Sequence, residues 1–141
     1  MKLINVMLVT LMAALPVLPL TVAASSSVAE AMSEFAWEKR QILLFAPDAQ
    51  NQNYQDFLAA AQEQQAALDE RRLQVWHILS GQPVKLGETR YADLSAEDFQ
   101  TEYAVAADEF SVILIGYDQG EKLRQDTVDL ERLFAEIDQM P

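Results

Sequence analysis

Two short apolar runs, residues 41–46 (QILLFA) and Leu73–Leu79 (LQVWHIL), constrain the fold of this chain more than any other feature. Each is too short for a buried helix, and Pro47 stops the first. A brief, continuous apolar run is how a strand covered on both faces reads. From Asn53 to about Arg71 the pattern between them turns helical. Tyr54, Phe57, Leu58, Ala61 and Leu68 share one stripe, and the other face is glutamine and glutamate. Six glutamines between Gln50 and Gln65 sit inside that period, as a solvated surface would. Strand, helix and strand in this span make a βαβ unit with a right-handed crossover.

The flanking segments follow simple rules. Residues 25–41 begin as a small-residue linker and become amphipathic, with Ser27 and Glu30 at capping-box spacing. Residues 80–94 carry Gly81, Pro83 and Gly87 without clear periodicity, which predicts the longest irregular and most mobile connection. Ser95 and Asp98 cap a short helix over 95–103. Residues 110–117 (FSVILIGY) and 121–124 read as strands around an Asp118-Gln119-Gly120 turn, with the positive φ expected at Gly120. A last helix over 128–139 buries Leu130, Leu133, Phe134 and Ile137, with Asp129 at its start favouring the dipole. The order βαβ, α, ββα resembles the minimal thioredoxin fold. It predicts an α/β chain with a four-stranded mixed sheet and flanking helices.

The first 24 residues read as an export signal. Lys2 precedes a long apolar stretch, Pro16 and Pro19 break it, and Val22-Ala23-Ala24 offers small residues for cleavage after Ala24. The stretch is also long enough to span a bilayer, so retention as an anchor is the alternative. Lipid anchoring through cysteine is excluded, because the chain has none. Cleavage leaves 117 of the 141 residues, read as a single domain over 25–141. That size supports a core without staples. The expected location is periplasmic or secreted, with no membrane association after cleavage. Nine basic against 22 acidic residues in this part give a net charge of −13, which repels phosphates and disfavours nucleic acid. The expected partner is another envelope or extracellular protein.

Particular residues resemble one family, the domain of unknown function DUF4174. They are Trp37, Arg40, Leu43-Leu44-Phe45-Ala46-Pro47, Arg71 and Leu73 in the first half. In the second they are Leu114-Ile115-Gly116, Asp118, Gly120, Lys122-Leu123-Arg124, Leu130, Leu133-Phe134, Ile137-Asp138 and Met140-Pro141. Tyr117 stands where a lysine is usual, and Gln119 where glycine is usual. The resemblance implies an exported thioredoxin-like domain with no assigned reaction. Similar modules in larger matrix-associated animal proteins point to adhesion or protein contact.

Thioredoxin chemistry needs a low-pKa cysteine where the first strand meets the next helix. Here that corner holds Ala49-Gln50-Asn51-Gln52-Asn53, and Phe110 holds the place of the usual cis-proline. Thiol-disulfide and peroxidase chemistry are therefore excluded. The corner's amides (Gln50, Asn51, Asn53) either bind an anion at the helix start or cap the helix. Lys122 and Arg124, expected on one side of their strand, either meet a partner carboxylate or pair locally. Trp37 reads as sealing the core, with an exposed recognition aromatic as the alternative. His77, the only histidine, reads as packed among apolar neighbours, with no second ligand for a metal. The acidic pairs read as solvated surface, and neither metal nor cofactor is expected. The leading expectation is a non-catalytic module that binds a protein or a ligand. The alternative is a hydrolase using carboxylates or His77 in a cleft shaped by residues 80–94.

Overall fold

The computed structural model describes residues 27–140. The expected export signal lies outside the described residues. The elements are α1 (Val28–Ser33), β1 (Arg40–Ala46), α2 (Gln52–Glu63), α3 (Gln65–Glu70), β2 (Leu73–Leu79), β3 (Pro83–Leu86), β4 (Thr89–Ser95), α4 (Ala96–Tyr103), β5 (Ser111–Ile115), β6 (Glu121–Gln125) and α5 (Leu130–Asp138).

One mixed sheet runs in the order β4-β3-β2-β1-β5-β6. β1 and β2 are parallel, from Arg40 opposite Leu73 to Ala46 opposite Leu79, and every other neighbouring pair is antiparallel. The four inner and right-hand strands, β2-β1-β5-β6, are the four anticipated from the apolar runs. The sheet has six strands because residues 80–94 form a hairpin instead of an irregular connection. Its two-residue loop is Gly87-Glu88, and Gly87 supplies the positive φ (57°) a tight turn needs. The strand signal on β4 is concealed by a break in register. Val84 pairs with Tyr91 while Pro83 pairs with Ser95, so residues 92–94 bulge out. Tyr91 and Leu94 are both buried, three apart, which hides the period of two.

β1 is apolar from Ile42 to Ala46 because each face is covered. Leu43 and Phe45 enter one core with Trp76, Ile78, Val84, Phe99 and Ile113, roofed by α1 and α4. Ile42, Leu44 and Ala46 enter the other with Phe57, Leu68, Leu114 and Leu133, roofed by α2, α3 and α5. The helix expected over 53–71 is two helices, with a break at Gln64, whose φ of −111° is non-helical. The caps fall where expected. Ser27 accepts from Glu30 N–H, Ser95 and Asp98 close a reciprocal capping box, and Asp129 accepts from Arg132 N–H.

One polar residue interrupts the apolar run. Gln41 is fully buried, and its Oε1 accepts from Trp76 Nε1 at 2.6 Å and Gln74 Nε2 at 3.2 Å. Its Nε2 donates to the Met32 carbonyl at 3.3 Å, which ties α1 to the sheet. A buried indole N–H demands an acceptor, and Gln41 is that acceptor.

Candidate functional site

Polar chemistry is spread over several places on the molecule. The first is the corner between β1 and α2, where a thioredoxin-type nucleophile would stand. Asn51 is the N-cap of α2, its side-chain oxygen accepting from Tyr54 N–H at 3.0 Å. The Asp48 carboxylate accepts from Gln50 N–H at 2.8 Å. Gln50 and Asn53 are exposed. Asn51 and Asp48 are thus engaged with their own backbone. Phe110, just before β5, is buried in the apolar core.

The second place is a cleft beside β2. His77 lines two neighbouring cavities, about 370 and 180 Å³, with Leu58 and Gly87 common to both. His77 Nδ1 lies 3.1 Å from the Tyr54 hydroxyl. Burial, aided by Lys85 and opposed by Glu88, lowers its pKa from 6.5, so the ring is neutral at pH 7. Burial also raises the Tyr54 hydroxyl above its ordinary value of 10.0. Lys85 and Glu88 come from the residue 80–94 hairpin, so a cleft shaped by that segment exists beside His77, with no serine or threonine in its lining. The same segment shapes a larger, open cavity of about 710 Å³ that holds Ser80, Asp93, Ser95, Glu97 and Asp98 but not His77.

The third place is the opposite end of the sheet, where β1 and β2 begin and β5 ends. Trp37 sits between α1 and β1 with a left-handed backbone (φ 66°), its N–H donating to the Tyr117 carbonyl at 2.9 Å. A bulky residue rarely adopts that conformation. Its indole is 74% exposed, so it does not seal the core; Trp76, fully buried, does. The Arg40 guanidinium lies over the Tyr117 ring, its Cζ 4.2 Å from the centroid. Its Nη1 donates to the Arg71 carbonyl at 3.1 Å and the Tyr117 hydroxyl at 3.4 Å. Its Nε is buried with no acceptor, and among the described residues it forms no ion pair. Trp37, Arg40, Tyr117, Lys122, Glu136 and Met140 are among the residues around a cavity of about 280 Å³. A second hollow of about 260 Å³, which includes Arg71 and Asp138, shares Arg40 and Met140 with it.

The neighbouring charges are locally matched. Arg71 grips Asp138 with two hydrogen bonds, Nε to Oδ1 at 3.1 Å and Nη2 to Oδ2 at 2.9 Å, and lies 4.4 Å over the Phe134 ring. That contact holds the Asp138 carboxyl below its ordinary value of 3.8. Lys122 pairs with Asp118 at 2.9 Å, and the Asp118 carboxyl is lowered by Lys122 and the Gly120 N–H.

Lys122 and Arg124 do not act as one basic pair. Leu114 faces Leu123 while Ile115 faces Glu121, so Lys122 is the extra residue of a bulge and strand alternation is lost there. Lys122 lines the Trp37 cavity, whereas Arg124 bonds Glu121 at 2.6 Å and the Tyr103 carbonyl at 2.8 Å. The adjoining turn also differs from expectation, since its positive φ falls at Gln119 (69°) and not at Gly120. Glycines matter here for space. A Cβ on Gly116 would come within 2.7 Å of Lys122 Cε.

Trp37, Arg40, Arg71, Gly116, Asp118, Lys122, Asp138 and Met140 all carried the family resemblance. The fold gathers them at this one end, from segments far apart in the chain. Pattern reading along the chain missed the gathering, because parallel pairing of β1 with β2 alone brings Arg40 beside Arg71.

The arrangement is that of a thioredoxin-like α/β fold whose reactive corner has no thiol. In agreement, the structure matches reduced 2-Cys peroxiredoxin of Plasmodium vivax with a TM-score of 0.58, at 15% identity, over 76% of this chain and 80% of that one. At that identity the likeness speaks for the fold alone. The chain belongs to the family described as Domain of unknown function (DUF4174), whose match runs over residues 31–141. No curated protein matches the sequence.

Proposed function

We propose that this chain is an exported, non-catalytic module that binds another envelope or extracellular protein, or a small ligand, through the Trp37 end of its sheet. The observation that carries the reading is Trp37 itself. An indole held exposed in an unfavourable backbone conformation beside an unpaired guanidinium does nothing for the core. Backbone strain of that kind collects at ligand-binding positions, and aromatic and arginine side chains dominate binding energy at interfaces. The missing thiol and the self-capped corner fit a fold kept for its surface.

Site-specific photocrosslinking in producing cells tests this. A photoreactive residue at position 37 should capture a discrete partner identified by mass spectrometry, or a saturable ligand, while one at position 50 should not. Cell fractionation with N-terminal sequencing checks export, expecting a chain that begins near Ser25. Equal capture from both positions would count against the site. Robust turnover of a substrate, abolished by one substitution, would overturn the non-catalytic reading.

A hydrolase using His77 is the second reading, favoured by the neutral ring in a cleft with Tyr54, Lys85 and Glu88. It predicts that His77→Ala removes an activity while leaving the melting temperature nearly unchanged. A large stability loss with no activity to lose would mark His77 as structural.

A further inference from the structure

The geometry points to a zwitterionic ligand of amino-acid size in the Trp37 cavity, an inference that rests on the binding reading above. Four observations converge on it. The cavity, about 280 Å³, is just below the roughly 300 Å³ at which drug-sized pockets begin, so its occupant is small. Arg40 and Glu136 both line it, yet among the described residues neither forms an ion pair, although Arg40 acts at longer range on the Asp138 carboxylate. The other two charges on the wall, Lys122 and Asp118, neutralise each other. Exposed Trp37 and half-buried Met140 supply apolar and polarisable surface between them.

An opposite pair on the lining of one small cavity, not joined to each other, calls for a ligand with both charges. Its carboxylate accepts a charge-assisted hydrogen bond from Arg40 where that side chain lines the cavity. Stacking on Tyr117 and the bond to the Arg71 carbonyl fix that guanidinium in advance, so little ordering is left for binding to do. The ligand's ammonium meets Glu136, and an apolar or aromatic side group lies against Trp37 and Met140. A polyanion is disfavoured, because Glu136 and Asp118 stand on the same wall.

Phenylalanine titrated into the purified protein is the direct probe, with calorimetry alongside indole fluorescence. Trp37 is exposed and Trp76 fully buried, so a change at the red edge reports on the cavity. Saturable binding is expected. N-acetylphenylalanine, which has no ammonium, and phenylalaninamide, which has no carboxylate, should each bind at least about ten-fold more weakly, the scale of one lost charge-assisted contact. Glu136→Gln should weaken phenylalanine by a similar factor and leave N-acetylphenylalanine unchanged. Equal affinity for phenylalanine and N-acetylphenylalanine would overturn the inference. So would the absence of saturation up to about 10 mM with protein that circular dichroism shows to be folded. Specific capture of a protein at position 37 alongside that silence would leave the binding reading standing and remove this one.

Discussion

Replacing Gln119 by glycine should stabilise the protein, and the structure sets the size of the effect. Gln119 holds φ at 69°, a conformation that brings its Cβ against the following carbonyl and costs about 1 kcal/mol for a residue other than glycine. Its side-chain Nε2 is buried without an acceptor, which adds a desolvation cost of about 1 kcal/mol. Against these stand the greater freedom of glycine in the unfolded chain, about 0.4–1 kcal/mol, and one long contact from Gln41 Nε2 at 3.5 Å. Gln41 keeps its bond to the Met32 carbonyl. The net expectation is a gain of about 1 kcal/mol, or about 4 °C in Tm for a domain of this size. Urea and thermal unfolding followed by circular dichroism measure it. Gln119→Ala separates the two causes, because it removes the amide and keeps the strained Cβ. It should fall between wild type and the glycine variant. A glycine variant less stable than wild type, or an alanine variant more stable than the glycine one, would refute the assignment of strain to the backbone.

Trp37→Gly should follow the same backbone logic, holding or raising stability by up to about 1 kcal/mol while erasing the saturable phenylalanine signal in calorimetry. Gln41→Leu should lower unfolding free energy by about 2 kcal/mol in urea titrations with an unchanged slope, because it strands the buried Trp76 indole N–H. His77 should make stability pH-dependent on the acid side. Its folded pKa lies below the ordinary 6.5, so the unfolded chain binds the proton first. Its contribution is complete above about pH 6.5 and falls as the pH drops from there through the folded pKa. His77→Gln should flatten that window in thermal melts while leaving the lower one set by Asp118 and Asp138.

The inner sheet was legible because its strands are buried on both faces. Ile42 and Leu43 point to opposite cores and must both be apolar, which no loop would require. The caps were legible too, since Ser27, Ser95 and Asp129 act within one turn of themselves. The β3–β4 hairpin was not, because the bulge at residues 92–94 breaks the alternation that marks a strand. Trp37 was misread for a different reason. Burial of a tryptophan is a default, and the left-handed backbone that turns this one outward leaves no trace in composition. Lys122 and Arg124 were paired by simple alternation, and one extra residue in β6 undid that. The Trp37 end became visible only through topology, since it draws on segments near residues 40, 71, 117 and 136.

The two outermost strands share a property with consequences for the molecule's persistence. β4 is kinked by residues 92–94 and exposes Arg90 and Asp93, while β6 is kinked at Lys122 and exposes Glu121 and Arg124. A straight, uncharged rim would let one copy template the next into a growing fibril, and neither rim here offers one. The chain therefore guards against self-assembly through irregular geometry, which needs no covalent crosslink and no protective helper. For a protein without a single cysteine, that safeguard works equally well in reducing and oxidising surroundings.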